Sequence, residues 1–361
     1  MHWLRSGQVA ERNPVIDQKK TRPTLSDVAR LAGVSTATVS RTLTRPATVS
    51  AETRERVEAA VQELGYVPHF GGRALASNRS DTVGAVIPTM ENAIFARGLQ
   101  ALEETLSANG ITLLVATSNY DVDAEARQVR TLLGRGIDGL VLIGEARPRS
   151  TYDLLERSGI PYVLVWNPNE DSPHCSVGFD NRAAAKAMTE EVVAHGHLRV
   201  AMIAGVTEWN DRASERVSGV RQALSDRGLA LETPYIVEAA YSLEAGADAV
   251  KGLARLDPRP TAIICGNDVL AAGAILGLRE LGIAVPDAIS VVGYDDIDLA
   301  EVATPALTTV HVPHRRMGKA AAELLLGMIG NVEVRRNVVL ETSITLRSSL
   351  ARVADAEPPV W

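Results

Sequence analysis

The sequence predicts an all-α unit of three short helices near the N-terminus, followed by a larger α/β core with two parallel sheets. Three observations predict it. Helix caps and helical periodicity run through residues 24–65. From Thr82 on, short apolar runs alternate with longer amphipathic stretches, the pattern of parallel strands covered by helices on both faces. The chain has 361 residues, too many for one ordinary compact domain.

The helical unit is read from its caps. Thr24-Leu25-Ser26-Asp27 has capping-box spacing, with Thr24 as N-cap and Asp27 three residues on. Val28, Leu31 and Ala32 then form an apolar stripe at helical spacing. Gly33 permits a tight turn. Ser35 caps a second helix that buries Val39 and Leu43 and leaves Thr36, Ala37, Ser40 and Arg41 on its other face. Ser50 opens a third helix with the stripe Val57, Ala60, Val61 and Leu64, stopped at Gly65 with Pro68 beyond. Three helices around one shared core make a helix-turn-helix unit.

In the core, strands are expected at Thr82–Ile87, Ile111–Ala116, Gly139–Ile143, Tyr162–Val165, Val200–Ala204, Tyr235–Ala239, Thr261–Cys265 and Ile289–Gly293. Gly110, Gly159, Gly196, Gly228 and Gly282 stop the intervening helices. So many strands predict two sheets and hence two lobes. The stretch from Ala351 to Trp361 reads as an unstructured tail.

Composition narrows the function classes. The apolar fraction of 46% is that of a globular protein. The longest apolar runs, such as Gly139–Gly144, fall far short of a membrane span. The first 20 residues mix charges with no continuous apolar stretch, unlike a signal peptide. The 2 cysteines imply neither a disulfide framework nor a zinc array. A cytoplasmic location is expected. Charge is uneven: residues 1–80 carry 12 Lys/Arg against 7 Asp/Glu, and the remainder 25 against 37. A basic head on an acidic body predicts an anionic partner for the head. Gly134-Arg135-Gly136-Ile137-Asp138-Gly139 satisfies G-x-G-x-x-G, but it follows a helical stretch and precedes a strand. That order is the reverse of a dinucleotide-binding turn. No cofactor and no metal are expected, and His195 and His197 read as surface residues.

The second helix carries the chemistry of the head. Its first turn presents Thr36 and Ala37, short enough to approach base edges in a major groove, with Ser40 and Arg41 one turn on. TLSDVARLAGVSTATVSRTLTRPATVSAETRERVEAAVQELGYVPH, residues 24–69, closely resembles the headpiece of the LacI/GalR family of bacterial transcription repressors. The resemblance continues through about residue 346. It implies a partner, double-stranded operator DNA. Thr36, Ala37 and Arg41 match base-reading positions, and Thr24, Ser35, Thr38 and Ser40 match phosphate anchors. Residues 69–80 match a hinge helix in which Leu75 fits a minor-groove wedge. His69 and Gly71-Gly72 depart from the family there, and each glycine costs a helix about 1 kcal/mol.

The body resembles type I periplasmic binding proteins, with two Rossmann-like lobes. Their ligands sit in the cleft at the carboxyl ends of the strands. Residues just after the predicted strands are therefore the candidates: Ile94, Phe95, Trp166, Tyr241, Asn267 and Asp295. The resemblance adds Asn210, Arg212 and Arg216 as contact positions. Aromatic faces suit the C–H faces of a sugar, Arg216 offers a fork of donors, and Asp295 accepts hydroxyl protons. Trp166 replaces a common acid and Arg212 adds a cation, which tilts the expected effector from a neutral sugar toward a sugar acid. Val177–Asn181 and Arg315–Gly318 are similar to gluconate-type repressors. The expected plan is a disordered lead-in at 1–21, the DNA-binding unit at 22–68, the hinge at 69–80, the two-lobed core at 81–346 and a tail at 347–361. No C-terminal leucine heptad is seen, so a homodimer is expected, with no membrane association. The rival readings are a periplasmic-type sugar-binding protein without DNA function and a sugar-modifying enzyme. The first lacks a reason for the headpiece. The second lacks a nucleophile, base or phosphate loop in the cleft.

Overall fold

The computed structural model describes residues 23–67, 79–91, 93–169 and 171–353. It divides into two compact units, the first ending at residue 78 and the second beginning at Arg79. The expected lead-in at 1–21 and nearly all of the expected hinge, Leu75 included, lie outside the described residues.

The first unit contains α1 (Leu25–Ala32), α2 (Thr36–Thr44) and α3 (Ala51–Leu64). The capping box forms: Thr24 N–H donates to Asp27 Oδ2 at 2.9 Å, and Asp27 N–H donates back to Thr24 Oγ1 at 3.3 Å. Ser35 and Ser50 cap α2 and α3 by accepting the N–H of Thr38 and Thr53. Gly33 takes the left-handed conformation, φ 65°, that reverses the chain after α1. Arg56 on α3 donates to the carbonyls of Ala32 and Gly33, satisfying acceptors that the end of α1 leaves open. The core is Val28, Ala29, Ala32, Val39, Val57, Ala60 and Tyr66. On α2 the buried partner of Val39 is Thr42, while Leu43 is only partly buried. Thr42 is tolerated because its hydroxyl donates to the Thr38 carbonyl at 2.9 Å.

The second unit holds two six-stranded sheets. The first contains β1 (Thr82–Ile87), β2 (Thr112–Thr117), β3 (Gly139–Ile143), β4 (Tyr162–Trp166), β5 (Ser176–Gly178) and β11 (Asn337–Val339). Its order is β11-β5-β4-β3-β1-β2, parallel throughout. The second contains β6 (Val200–Gly205), β7 (Ile236–Ala239), β8 (Ala262–Cys265), β9 (Ser290–Asp295), β10 (Thr308–His311) and β12 (Ser343–Thr345). Its order is β12-β10-β9-β8-β6-β7, with only β12 antiparallel. Packed on the first sheet or its helices are α4 (Ala93–Ser107), α5 (Val122–Gly134), α6 (Arg149–Ser158) and α12 (His314–Ile329). With the second sheet go α7 (Asn181–Ala194), α8 (Asp211–Ser225), α9 (Leu243–Leu253), α10 (Asp268–Glu280) and α11 (Asp298–Val302).

The chain passes between lobes three times, after β5, after β10 and after β11. Three helix pairs come close enough to touch backbone to backbone. A Cβ on Gly318 of α12 would lie 1.9 Å from the Gly98 carbonyl oxygen of α4, and one on Gly219 of α8 would lie 2.2 Å from that of Arg182 on α7. One on Gly273 of α10 would meet the Leu243 carbonyl of α9 at 2.2 Å.

The eight expected strands form within two residues of their expected ends. Four more, β5, β10, β11 and β12, were not expected. They are three or four residues long, and Thr308-Thr309-Val310-His311 carries no apolar run that would announce it. The histidine expectation is half right. His195 caps α7, but His197 is buried, with Nδ1 3.1 Å from Thr261 Oγ1 and Nε2 2.9 Å from the Ala351 carbonyl. The expected tail at 347 also starts too early. Ser349 is fully buried, accepts the Thr308 N–H and donates to the Val291 carbonyl, and Arg347 pairs with Asp296 at 2.8 Å. Residues 347–353 are thus part of the second lobe; residues 354–361 lie outside the described set. The G-x-G-x-x-G segment is a helix end and strand start, since α5 stops at Gly134 and β3 begins at Gly139.

Candidate functional site

Two sites are laid out, one in each unit. In the first unit, the face of α2 turned from the core shows Thr36, Ala37 and Arg41 exposed, with Thr38 and Ser40 half-buried beside them. The helix has no acidic residue in its first turn, so its positive dipole end is unopposed there. Arg41 makes no ion pair with any described residue, which leaves its guanidinium available to an external acceptor. Thr24 and Ser35 are both occupied as caps and both exposed. Asp27, held between Thr24 and Arg30, has its carboxyl pulled below the usual range by the Thr24 hydrogen bonds.

In the second unit, eight of the nine expected effector residues line one enclosed pocket between the lobes. Ile94, Phe95 and Trp166 come from the first lobe, and Arg212, Arg216, Tyr241, Asn267 and Asp295 from the second. Tyr120 completes the wall and was not anticipated. It stands just after β2, so the same after-the-strand argument that found Trp166 would have reached it. Asn210, the ninth, does not face this pocket. It caps α8 by accepting the Ala213 N–H and lines an adjoining outer chamber.

Arg216 is buried. It donates from its two terminal nitrogens to Asn181 Oδ1 at 3.0 Å and to the Tyr241 hydroxyl at 2.8 Å, and stacks 5.0 Å over the Tyr294 ring. Its Nε has no hydrogen-bond partner, nor do Asn267 Nδ2, the Tyr294 hydroxyl and His314 Nε2. Asn267 uses its Oδ1 to cap α10 through the Leu270 N–H. Buried polar atoms left open in this way are rare unless something else is to satisfy them. Asp295 takes no hydrogen bond from the described residues, its Oδ1 lies 3.8 Å from His314 Nε2, and burial pushes its carboxyl well above the usual range. Burial lowers His314 to about 4, with Arg97 and His311 adding to the shift. Arg216 thus places a buried cation in the pocket wall together with Asp295, while Arg212 is offset by Asp211 at 2.8 Å.

Latches hold the pocket shut. The Asp211 carboxylate, in the second lobe, accepts the Glu145 N–H at 2.6 Å and the Asn167 side chain at 3.0 Å, both from the first. Burial opposes its ionisation, but Arg212 and these donors outweigh it and hold its pKa low. Arg97 of α4 pairs with Asp298 of α11 on the far side. The enclosed volume is about 20 Å³, room for about one water. A larger ligand enters only if the lobes part.

A helix-turn-helix unit with a free polar recognition face, followed by a two-lobed cleft with unsatisfied polar groups inside, defines the class: a ligand-responsive, DNA-binding transcription regulator. Comparison with known proteins agrees. Residues 24–69 match the model of bacterial regulatory proteins of the lacI family, and residues 189–350 match a periplasmic binding protein-like domain. The chain is 32% identical to the transcriptional repressor PurR of Vibrio campbellii, over 91% of this chain and 99% of that protein. It is 34% identical to the transcriptional regulator GntR of Escherichia coli, over 86% and 93%. Among solved structures, the lac repressor dimer bound to operator and the anti-inducer ONPF superposes with a TM-score of 0.80 at 28% identity, covering 91% of this chain and 99% of that one. The chain belongs to the lacI family of bacterial regulatory proteins. No helix among the described residues is long and apolar enough to cross a membrane.

Proposed function

We propose that this regulator is a homodimeric repressor of genes for carbohydrate or sugar-acid use, that it acts in the cytoplasm, and that its effector is a hydroxylated carboxylic acid bound in the pocket between the lobes. The carrying observation is Arg216: a buried guanidinium with an open Nε, whose two hydrogen bonds go to neutral groups. A carboxylate on the ligand would meet it in the bidentate geometry that Arg favours. Asn267 Nδ2 stands ready for a hydroxyl, and Phe95 and Trp166, 5.2 Å apart edge to face, for C–H surface. Ligand entry strains the Asp211 and Arg97 latches, and that rearrangement changes operator affinity. Nothing in the pocket pairs a nucleophile with a base, so the ligand leaves as it came, without turnover.

On the DNA side, Thr36, Ala37 and Arg41 read bases and Thr24, Ser35, Thr38 and Ser40 hold phosphates. The test has two parts. Operator fragments from the chain's own genome are titrated with the intact chain and with a version beginning at Asp81; equal affinity for both sinks the DNA reading. Sugars and sugar acids are then screened by thermal shift, since a ligand specific to the folded state raises its melting temperature. A panel in which neutral sugars shift the melt and acids do not refutes the acid reading.

A further inference from the structure

Next to the closed pocket lies a second, much larger space. The outer chamber measures about 570 Å³, within the span of small-molecule sites, roughly 300–1,000 Å³. It is open without any movement of the lobes. Tyr120 and Tyr241 line both spaces, their ring centroids 5.6 Å apart, so this pair forms the partition. Tyr241 is held in place by Arg216.

The chemistry of the outer walls differs from that inside. Trp209 lines the chamber half exposed, and Val206, also in its wall, exposes apolar surface. Both Trp209, φ 51°, and Tyr120, φ 61°, sit on left-handed backbone, a strained conformation for large side chains that persists mainly at functional sites. Glu91, Asn119 and Glu208 line the same chamber, and their side chains accept or donate no hydrogen bond among the described residues. An aromatic face beside free carboxylates and an amide suits a sugar ring, whose C–H face is apolar and whose hydroxyls donate. The charges also set a direction. Two cations, Arg212 and Arg216, line the inner pocket with one carboxylate, Asp295, while the chamber is lined by two carboxylates and no Lys or Arg, so an acidic group belongs in the inner pocket and neutral hydroxyls belong in the chamber.

We propose that the outer chamber is a second sugar subsite and that the effector is a glycosylated sugar acid, its acid unit against Arg216 and its glycosyl unit against Trp209, threaded between Tyr120 and Tyr241. This rests on the reading of the inner pocket as an acid site and adds the second unit to it.

The test is calorimetric titration of the full chain with gluconate, and with cellobionate, maltobionate and lactobionate, each of which carries the gluconate unit under a glycosyl group. At least one of the two-unit acids binds about ten-fold tighter than its parent, the scale of one stacked face with its hydroxyl bonds. In Trp209→Ala, and again in Glu208→Gln, the ratio of the two affinities falls toward one; melting curves confirm that each variant is folded. If the parent acid binds as tightly as the two-unit acids, or the ratio survives both substitutions, the second subsite is refuted while the inner acid site stands. If acids of neither length bind, the acid site itself is refuted and the subsite with it.

Discussion

Asp268 shows how much one buried carboxyl shapes this protein. It accepts the Thr309 hydroxyl at 2.5 Å and the Ile297 N–H at 2.9 Å, joining the start of α10 to the loop after β9. Burial still wins, and its pKa rises to about 7. A raised folded pKa means the native state holds a proton that the unfolded chain has released, so stability falls as pH rises toward 7. At about 1.4 kcal/mol per pH unit, the intact chain should lose about 2–3 kcal/mol from this site between pH 5 and 8. Asp268→Asn should lose that pH dependence, though it starts lower because one hydrogen bond is gone; denaturant melts of both proteins across the range measure the difference. In the pocket, Asp295→Ala should abolish the response to effector and leave operator affinity intact, as followed by operator binding with and without ligand. On α2, Arg41→Ala should weaken operator binding by about 1–3 kcal/mol and relax specificity at one base position, read in competition with substituted operators at fixed salt. Residues of this kind were legible in the sequence because strand ends and caps fix where they stand. Tyr294 directly follows the expected strand Ile289–Gly293 and was within reach of the same argument; His314 was not, since it follows no predicted strand and only the packing of α12 brings it beside Asp295.

Among the elements, the helical unit was the easiest to read. Thr24, Ser35 and Ser50 each stand one residue before a helix and each caps it. Ser35→Ala should cost the unit about 1 kcal/mol, measurable as a lower melting temperature of the isolated headpiece signal. The long strands were equally plain, because full burial on both faces demands unbroken apolar runs such as Gly139-Leu140-Val141-Leu142-Ile143. The short strands β5, β10, β11 and β12 escaped because they are only three or four residues long and their pairing is set by the routing of the chain rather than by an apolar run of their own. The glycine contacts between helices were hidden as well: Gly98 and Gly318 are 220 residues apart in the sequence, and nothing local marks them as neighbours. Gly318→Ala forces a methyl into the α4 backbone and should destabilise the core by about 1–3 kcal/mol, visible as an earlier melt of a chain that begins at Asp81.

For the molecule as a whole, the regulator has two binding activities and one coupling free energy. If effector weakens operator binding by some factor, operator weakens effector binding by the same factor; titrating effector with and without a saturating operator duplex checks the equality. The bilobed plan was foreseen from strand count alone, but the routing was not. Because the chain passes between the lobes after β5, β10 and β11, each lobe is stitched from two separate runs of sequence, one early and one late. No continuous gene fragment encodes either half by itself. A protease that severs the link between Gly178 and Asn181 would release nothing, for the C-terminal piece keeps α12 and β11 packed into the first lobe, and the nicked product should still migrate as one particle until it is unfolded.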